Sequence, residues 1–117
     1  MDLEIVAESM GVRVDYIAPA RGWGEYDPVS HTIRLHPRLR GIQLRAVLSH
    51  ELGHAAYRHD RSTPRTEREA DHFAHWLTIP LCGLLRATQC HDTAQGIAHE
   101  LGVLPSEVTS YLERLKR

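Results

Sequence analysis

Cysteine is scarce in this chain of 117 residues, which contains only Cys82 and Cys90. The two form no CxxC pair and fall in one predicted helical region, so neither a thiolate metal site nor a disulfide framework is favoured. We interpret both as reduced thiols, in the core or on the surface, of a cytoplasmic protein.

Long apolar runs and an excess of one charge are also missing. Fourteen Lys and Arg stand against fifteen Asp and Glu, a net charge of −1 with histidine neutral, so the chain has no general attraction for nucleic acid or anionic membranes. No apolar run is long enough to cross a bilayer, and the first residues, MDLEIVAESM, lack the basic region of a signal peptide. The length predicts one small domain over residues 1–117.

Histidine, by contrast, is abundant, and two of the nine histidines, His50 and His54, enclose Glu51 in the pattern HExxH. Residues four apart share a helix face, so both imidazoles can bind one metal ion, with Glu51 beside it to take a proton from water. Apolar neighbours predict a largely buried helix, where two histidines without a ligand would be costly. A second HELG at 99–102 is followed by Val103 instead of the residues that would complete a chelate, and it predicts an ordinary helix end.

A hydrolytic zinc ion needs a third protein ligand and one open position, and the next predicted helix offers candidates. Glu67 and Asp71 share a face, so one can bind the metal while the other orients a ligating imidazole. Glu69 lies about 200° around the helix from Glu67, so the two cannot both face the metal. Periodicity does not choose between them, although Asp71 favours Glu67 and solvent exposure is more natural for Glu69. His72 and His75 are further alternatives, more typical of surface or packing histidines.

Periodicity along the chain predicts an α+β protein. Short alternating segments predict three strands, and Pro37 after the third favours an edge strand. Longer segments with capping residues and proline starts predict helices. The predicted strands are 12–17, 22–27 and 32–36, and the predicted helices are 3–10, 41–59, 64–77, a short one from Pro80, 93–102 and 105–116.

The two motifs together resemble the ImmA/IrrE family of small zinc metallopeptidases, common in phages, mobile elements and their hosts. HELGH is followed by ERxADxFAxxL(x)xP, which stands here as EREADHFAHWLTIP at 67–80. The resemblance implies a zincin-like, gluzincin-type domain, in which a short antiparallel sheet packs on the HExxH helix and further helices. It also implies Glu67 as the third ligand, four residues before Asp71. One departure is Tyr57, where the family more often has an aliphatic residue.

The activity implied by the resemblance is that of a zinc-dependent endopeptidase acting on a regulatory protein such as a repressor. Zinc held by His50, His54 and Glu67 would activate a bound water, with Glu51 as the general base. His/His/Glu suits zinc, although another divalent ion can occupy such a site.

Further residues could contribute to such a site. Tyr57 is a candidate donor to the developing oxyanion, or else a side chain that packs at the cleft wall. His59 is predicted to lie off the metal face and to cap the helix end. The strand 32–36, if it is an edge, could pair with an extended substrate. Four arginines would make that side basic and favour an acidic substrate, unless they form a solvated face; they are Arg34, Arg38, Arg40 and Arg45.

The last two predicted helices form a pair that resembles a helix-turn-helix. A DNA reader needs basic and amide groups on its second helix, but residues 91–117 carry four acids against three bases. A pair that completes the core or receives a protein partner is therefore favoured. Its predicted apolar set is Ile97, Leu101, Val103, Val108, Leu112 and Leu115.

Two other functions compete with catalysis. A zinc-stabilised protein could bind a regulator or toxin without cutting it, although the intact Glu51 argues against this. A small DNA-binding regulator is disfavoured by the charge count. We assume a monomer, since an exposed edge strand would only permit a dimer.

Overall fold

The computed structural model describes residues 2–116, and its elements follow the predicted order. Three strands lie between the first helix and the remaining five, which confirms the α+β class. The elements are α1 (Leu3–Ser9), β1 (Arg13–Asp15), β2 (Gly24–Asp27), β3 (Thr32–Leu35), α2 (Gly41–Tyr57), α3 (Pro64–Thr78), α4 (Leu81–Cys90), α5 (Ala94–Leu101) and α6 (Pro105–Leu115).

The sheet is mixed, with strand order β1-β3-β2, so two of the predictions about it are wrong. A short turn joins β2 to β3 and makes them antiparallel, but β1 pairs with the other side of β3 in parallel. Strand β3 is therefore central and not an edge. Its buried Ile33 and Leu35 explain the central position, and Pro37 follows the strand without interrupting its hydrogen bonds.

Helix α2, which carries the HExxH motif, is buried along much of its length, as its apolar sequence predicts. Leu48, Leu52 and Ala55 lie in the core with α1 and the sheet. The helix ends at Tyr57, two residues before the predicted end, because Arg58 adopts a left-handed conformation with φ 51°.

Helices α2 and α3 cross with their backbones in contact, and Gly53 makes this possible. A Cβ atom added to Gly53 would lie 2.5 Å from the carbonyl oxygen and 2.6 Å from the Cα atom of Ala70. The start of α3 is fixed as predicted: Thr63 caps it by accepting from the Thr66 N–H, and Pro64 occupies its first turn. The motif that begins at Glu67 on α3 therefore packs directly against the HExxH motif on α2.

The C-terminal helices enclose a second apolar core together with α4. Ile97, Val103 and Val108 are buried there as predicted, and Leu101 and Leu112 are partly buried. Leu115 is 49% exposed, so its predicted place in this core is wrong.

The sequence favours neither a disulfide nor a membrane-spanning segment, and the structure has observations on both. Cys82 and Cys90 are free and exposed on α4. No helix within residues 2–116 is both long and apolar enough to span a membrane.

Candidate metal centre and its clefts

Three potential metal ligands meet where α2 crosses α3. His50 and His54 lie one turn apart on α2, and Glu67 comes from the first turn of α3. The Nε2 atoms of the two histidines are 3.2 Å apart. The Glu67 carboxylate oxygens lie 3.1 Å from His50 Nε2 and 3.0 Å from His54 Nε2. The structure thus brings together the three residues that the sequence and the resemblance assign to the metal.

The spacing of these donor atoms suits a tetrahedral ion. Ligands that each lie 2.0–2.1 Å from such an ion are separated from one another by about 3.3 Å. The separations here are 3.0, 3.1 and 3.2 Å. When both rings present an Nε2 lone pair, these lone pairs and the carboxylate repel one another at this distance, and a cation placed between them makes their convergence favourable. The donor set therefore fits a zinc ion.

His50 is oriented by a carboxylate on the neighbouring helix. Its Nδ1 lies 2.8 Å from Oδ1 of Asp71, which follows Glu67 by one turn of α3. Burial lowers the pKa of His50, but the Asp71 hydrogen bond and the charges of Glu51, Asp71 and Glu67 outweigh burial and raise it to about 9. An Nδ1–H that donates to Asp71 leaves Nε2 directed at the cluster.

His54 is oriented through a second histidine. Its Nδ1 lies 2.9 Å from Nδ1 of His59, and His59 Nε2 lies 3.1 Å from Oε1 of Glu69. If His54 presents the Nε2 lone pair to the cluster, its Nδ1–H donates to His59, and His59 Nε2–H then donates to Glu69. Burial and the charge of His50 both lower the pKa of His54, which favours this neutral form. With these protons, each hydrogen bond between His54, His59 and Glu69 has one donor and one acceptor.

This arrangement corrects two predictions. His59 does not point away from the metal face, and Glu69 is only partly exposed because it binds His59. The left-handed residue Arg58 turns the chain back, so that the His59 N–H bonds to the His54 carbonyl and its ring meets the His54 ring. Glycine is the usual residue in that conformation, so an arginine there gives little sign of the turn.

Glu51, the predicted general base, lies beside the cluster and is 8% exposed. It lines the clefts on both sides of the metal centre. Burial raises its pKa to about 7, against the opposing charge of His50. Strand β2 comes close to it, since a Cβ atom added to Gly24 would lie 3.3 Å from Glu51 Cγ.

The remaining candidates lie outside the cluster. Tyr57 is exposed, stacks on His59 with ring centroids 5.2 Å apart, and lines neither cleft. His72 is exposed on α3. His75 is buried and accepts a hydrogen bond from Arg114 Nη1 at 2.8 Å, while burial and the Arg114 charge lower its pKa to about 4. His75 therefore joins α3 to α6. Tyr57 as an oxyanion donor stays a prediction.

Two open clefts flank Glu51. One, of about 340 Å³, lies against α6, and its apolar wall includes Trp23, Val47 and Ala74. The other, of about 500 Å³, is lined mostly by polar and charged residues, which include the three candidate metal ligands and part of the chain after α2. An extended peptide could therefore pass Glu51 with side chains on both sides.

The four arginines that hinted at an acidic substrate line neither of these clefts. Arg34 pairs with Glu25 and Asp27 on strand β2. Arg40 donates to the carbonyl oxygens of Pro37 and Leu39. The structure gives that hint no support.

Comparison with known proteins agrees with the motifs. The model of the IrrE N-terminal-like domain, Peptidase_M78, matches residues 7–112, which include both motif helices and most of the C-terminal pair. No curated protein and no solved structure shows significant similarity to the chain. The resemblance inferred from HELGH and the 67–80 segment is thereby confirmed.

Proposed function

Because the chain belongs to the family of IrrE N-terminal-like peptidase domains, we propose that it is a zinc-dependent endopeptidase. The observation that carries this proposal is the convergence of His50, His54 and Glu67 beside the buried Glu51. Two histidines and a glutamate, with one position left open, form a common ligand set of hydrolytic zinc sites.

Each residue then has a definite part in the reaction. Zinc, when bound, supplies a Lewis acid that lowers the pKa of a water molecule and polarises the carbonyl of the cleaved bond. Glu51 accepts the proton of the attacking water and delivers it to the amine nitrogen as the C–N bond breaks. Asp71 orients His50, and Glu69 orients His54 through His59, so both rings would direct an Nε2 lone pair at a bound ion.

The substrate pairs with strand β2 in this proposal, not with the strand first expected to lie at the edge. Strand β2 bonds to β3 along one side, and none of the other strands in residues 2–116 pairs with its second side. Gly24 of β2 lines both clefts, so a peptide added there would run past Glu51.

The proposed substrate is a cytoplasmic regulatory protein, such as a transcriptional repressor, as the resemblance implies. We assume that the enzyme acts as a monomer.

Among the described helices, α6 carries Glu107 and Glu113 as well as Arg114, a mixed charge that gives no basic face for DNA.

The proposal is tested by measuring zinc content and peptide cleavage in wild type, Glu51→Gln and His54→Ala. Wild type should hold about one zinc per chain and cut members of a proteome-derived peptide library, with new N-termini identified by mass spectrometry. Glu51→Gln removes the base but no ligand, so it should keep zinc and lose at least about 100-fold in rate. His54→Ala should lose both.

Two results would contradict these assignments. Loss of zinc in Glu51→Gln would mean that Glu51 helps to bind the ion. Cleavage at the wild-type rate by Glu51→Gln would mean that another group is the base. If the zinc-loaded wild type cuts nothing, the non-catalytic binding role is favoured instead.

A further inference from the structure

The C-terminal helices help to build the cleft beside Glu51. Glu107, in the first turn of α6, and Leu104, just before that helix, both line it. The opposite wall comes from α2 and from Trp23 and Gly24 at the start of β2. A pair of helices that the sequence assigns to core completion or to partner binding therefore also contacts any occupant of this cleft.

Glu107 stands out within this wall because its carboxyl group is incompletely bonded. Among the side chains of residues 2–116, its Oε1 atom is the buried polar atom that has no hydrogen-bond partner. Burial raises the pKa of Glu107, while the charge of Arg45 and the Leu104 N–H partly oppose that effect. A buried acceptor without a partner is costly, and a cation or donor that reached this carboxyl group from the cleft would remove the cost.

The charges of the cleft favour a cationic occupant. Its lining contains the carboxyl groups of Glu51, Asp71 and Glu107, and neither lysine nor arginine is among its described lining residues. Glu51 belongs to the proposed chemistry, and Asp71 is bonded to His50. Glu107 is thus the acidic group that neither the metal centre nor the proposed proton transfer uses.

We infer that Glu107 binds the basic side chain of a lysine or arginine next to the cleaved bond of the substrate. This inference rests on the proposed peptidase function. The methylene groups of such a side chain would pack against Trp23, Val47 and Leu104, while its charged end pairs with the Glu107 carboxylate.

The test compares metal-binding peptide analogues that differ only in this charge. Two matched pairs of peptidyl hydroxamates carry lysine or norleucine, on one side or the other of the hydroxamate, and their Kd for zinc-loaded protein is measured by calorimetry. For wild type, the lysine compound of one pair should bind about tenfold more tightly than its norleucine partner, as a charge-assisted hydrogen bond predicts.

Glu107→Gln should abolish that preference, so that the ratio of the two Kd values falls to about one. Glutamine keeps an acceptor for the Leu104 N–H, so the start of α6 is preserved. The matched control is Glu113→Gln, which makes the same change of charge at an exposed position of the same helix and should keep the wild-type ratio.

The possible failures can be told apart. Equal affinity for lysine and norleucine in wild type overturns the inference but leaves the metal site intact. A Glu107→Gln variant that melts at lower temperature and loses affinity for both compounds equally shows a structural role instead, and also overturns it. If no hydroxamate binds zinc-loaded wild type, the proposed function fails, and this inference fails with it.

Discussion

The two histidines of the candidate metal centre lie one turn apart on the same helix but are oriented in different ways. His50 bonds directly to a carboxylate, Asp71, at 2.8 Å. His54 Nδ1 bonds to a second ring, that of His59, and His59 in turn bonds to the carboxylate of Glu69 on α3. Both arrangements leave Nε2 directed at the cluster. The first needs one contact between helices, whereas the second also needs a particular turn after α2.

The difference follows from the geometry of α3. Glu67 and Asp71 share the face that meets His50, so the candidate ligand Glu67 and the carboxylate that orients His50 lie one turn apart. Glu69 points about 200° away from Glu67 and cannot share that face. It reaches the centre around the end of α2, through His59. Two glutamates that periodicity offers as alternatives thus both contribute to the cluster, Glu67 as a candidate ligand and Glu69 at the end of a hydrogen-bond chain.

The largest effect should come from removing Glu67, the proposed metal ligand whose carboxylate contacts both histidines. Glu67→Ala should lower zinc affinity by more than about 100-fold, beyond the 10–100-fold typical of outer partners. Glu69→Ala removes a carboxylate two residues away and should cost about tenfold or less. The measurement is competition with a chromophoric chelator. If only Glu69→Ala releases the ion, the ligand face of α3 is rotated from the one described.

The next largest effect should come from a substitution that forces α2 and α3 apart. Gly53→Ala places a methyl group against the Ala70 backbone, which cannot move aside as a flexible side chain would. We expect a loss of about 1–3 kcal/mol in unfolding free energy. The zinc affinity should fall as well, since Glu67 and Asp71 would move together.

The matched control for that substitution is Gly83→Ala, inside α4. Its added Cβ would meet only side-chain atoms of Pro80 and Leu101, at 3.3 and 3.4 Å, and alanine favours the helix. Its unfolding free energy, measured by urea denaturation, should stay near that of wild type. Equal losses in the two variants would show that the close crossing of α2 and α3 is not what Gly53 provides.

The same contrast shows which parts of this site can be predicted from the sequence. HExxH and the Thr63-Pro64 start fix two helices and the face of each that carries ligands, because both depend on local spacing. His59 depends on a left-handed arginine, a conformation for which arginine has no preference. The parallel pairing of β1 with β3 depends on contacts between segments about twenty residues apart, which a period-two pattern does not encode.

The smallest effects should come from removing the side chains that orient His50 and His54. Asp71→Ala removes a carboxylate and should lower zinc affinity about 10–100-fold, whereas His59→Ala removes an imidazole and should cost about tenfold. Since Glu69 acts only through His59, the double variant His59→Ala/Glu69→Ala should lose no more than His59→Ala alone. Asp71→Ala combined with His59→Ala should lose the product of the single effects, because the two histidines have separate partners. A double-mutant cycle of zinc affinities measures both. Multiplicative losses for His59 and Glu69 would mean that Glu69 supports the centre by a route other than His54.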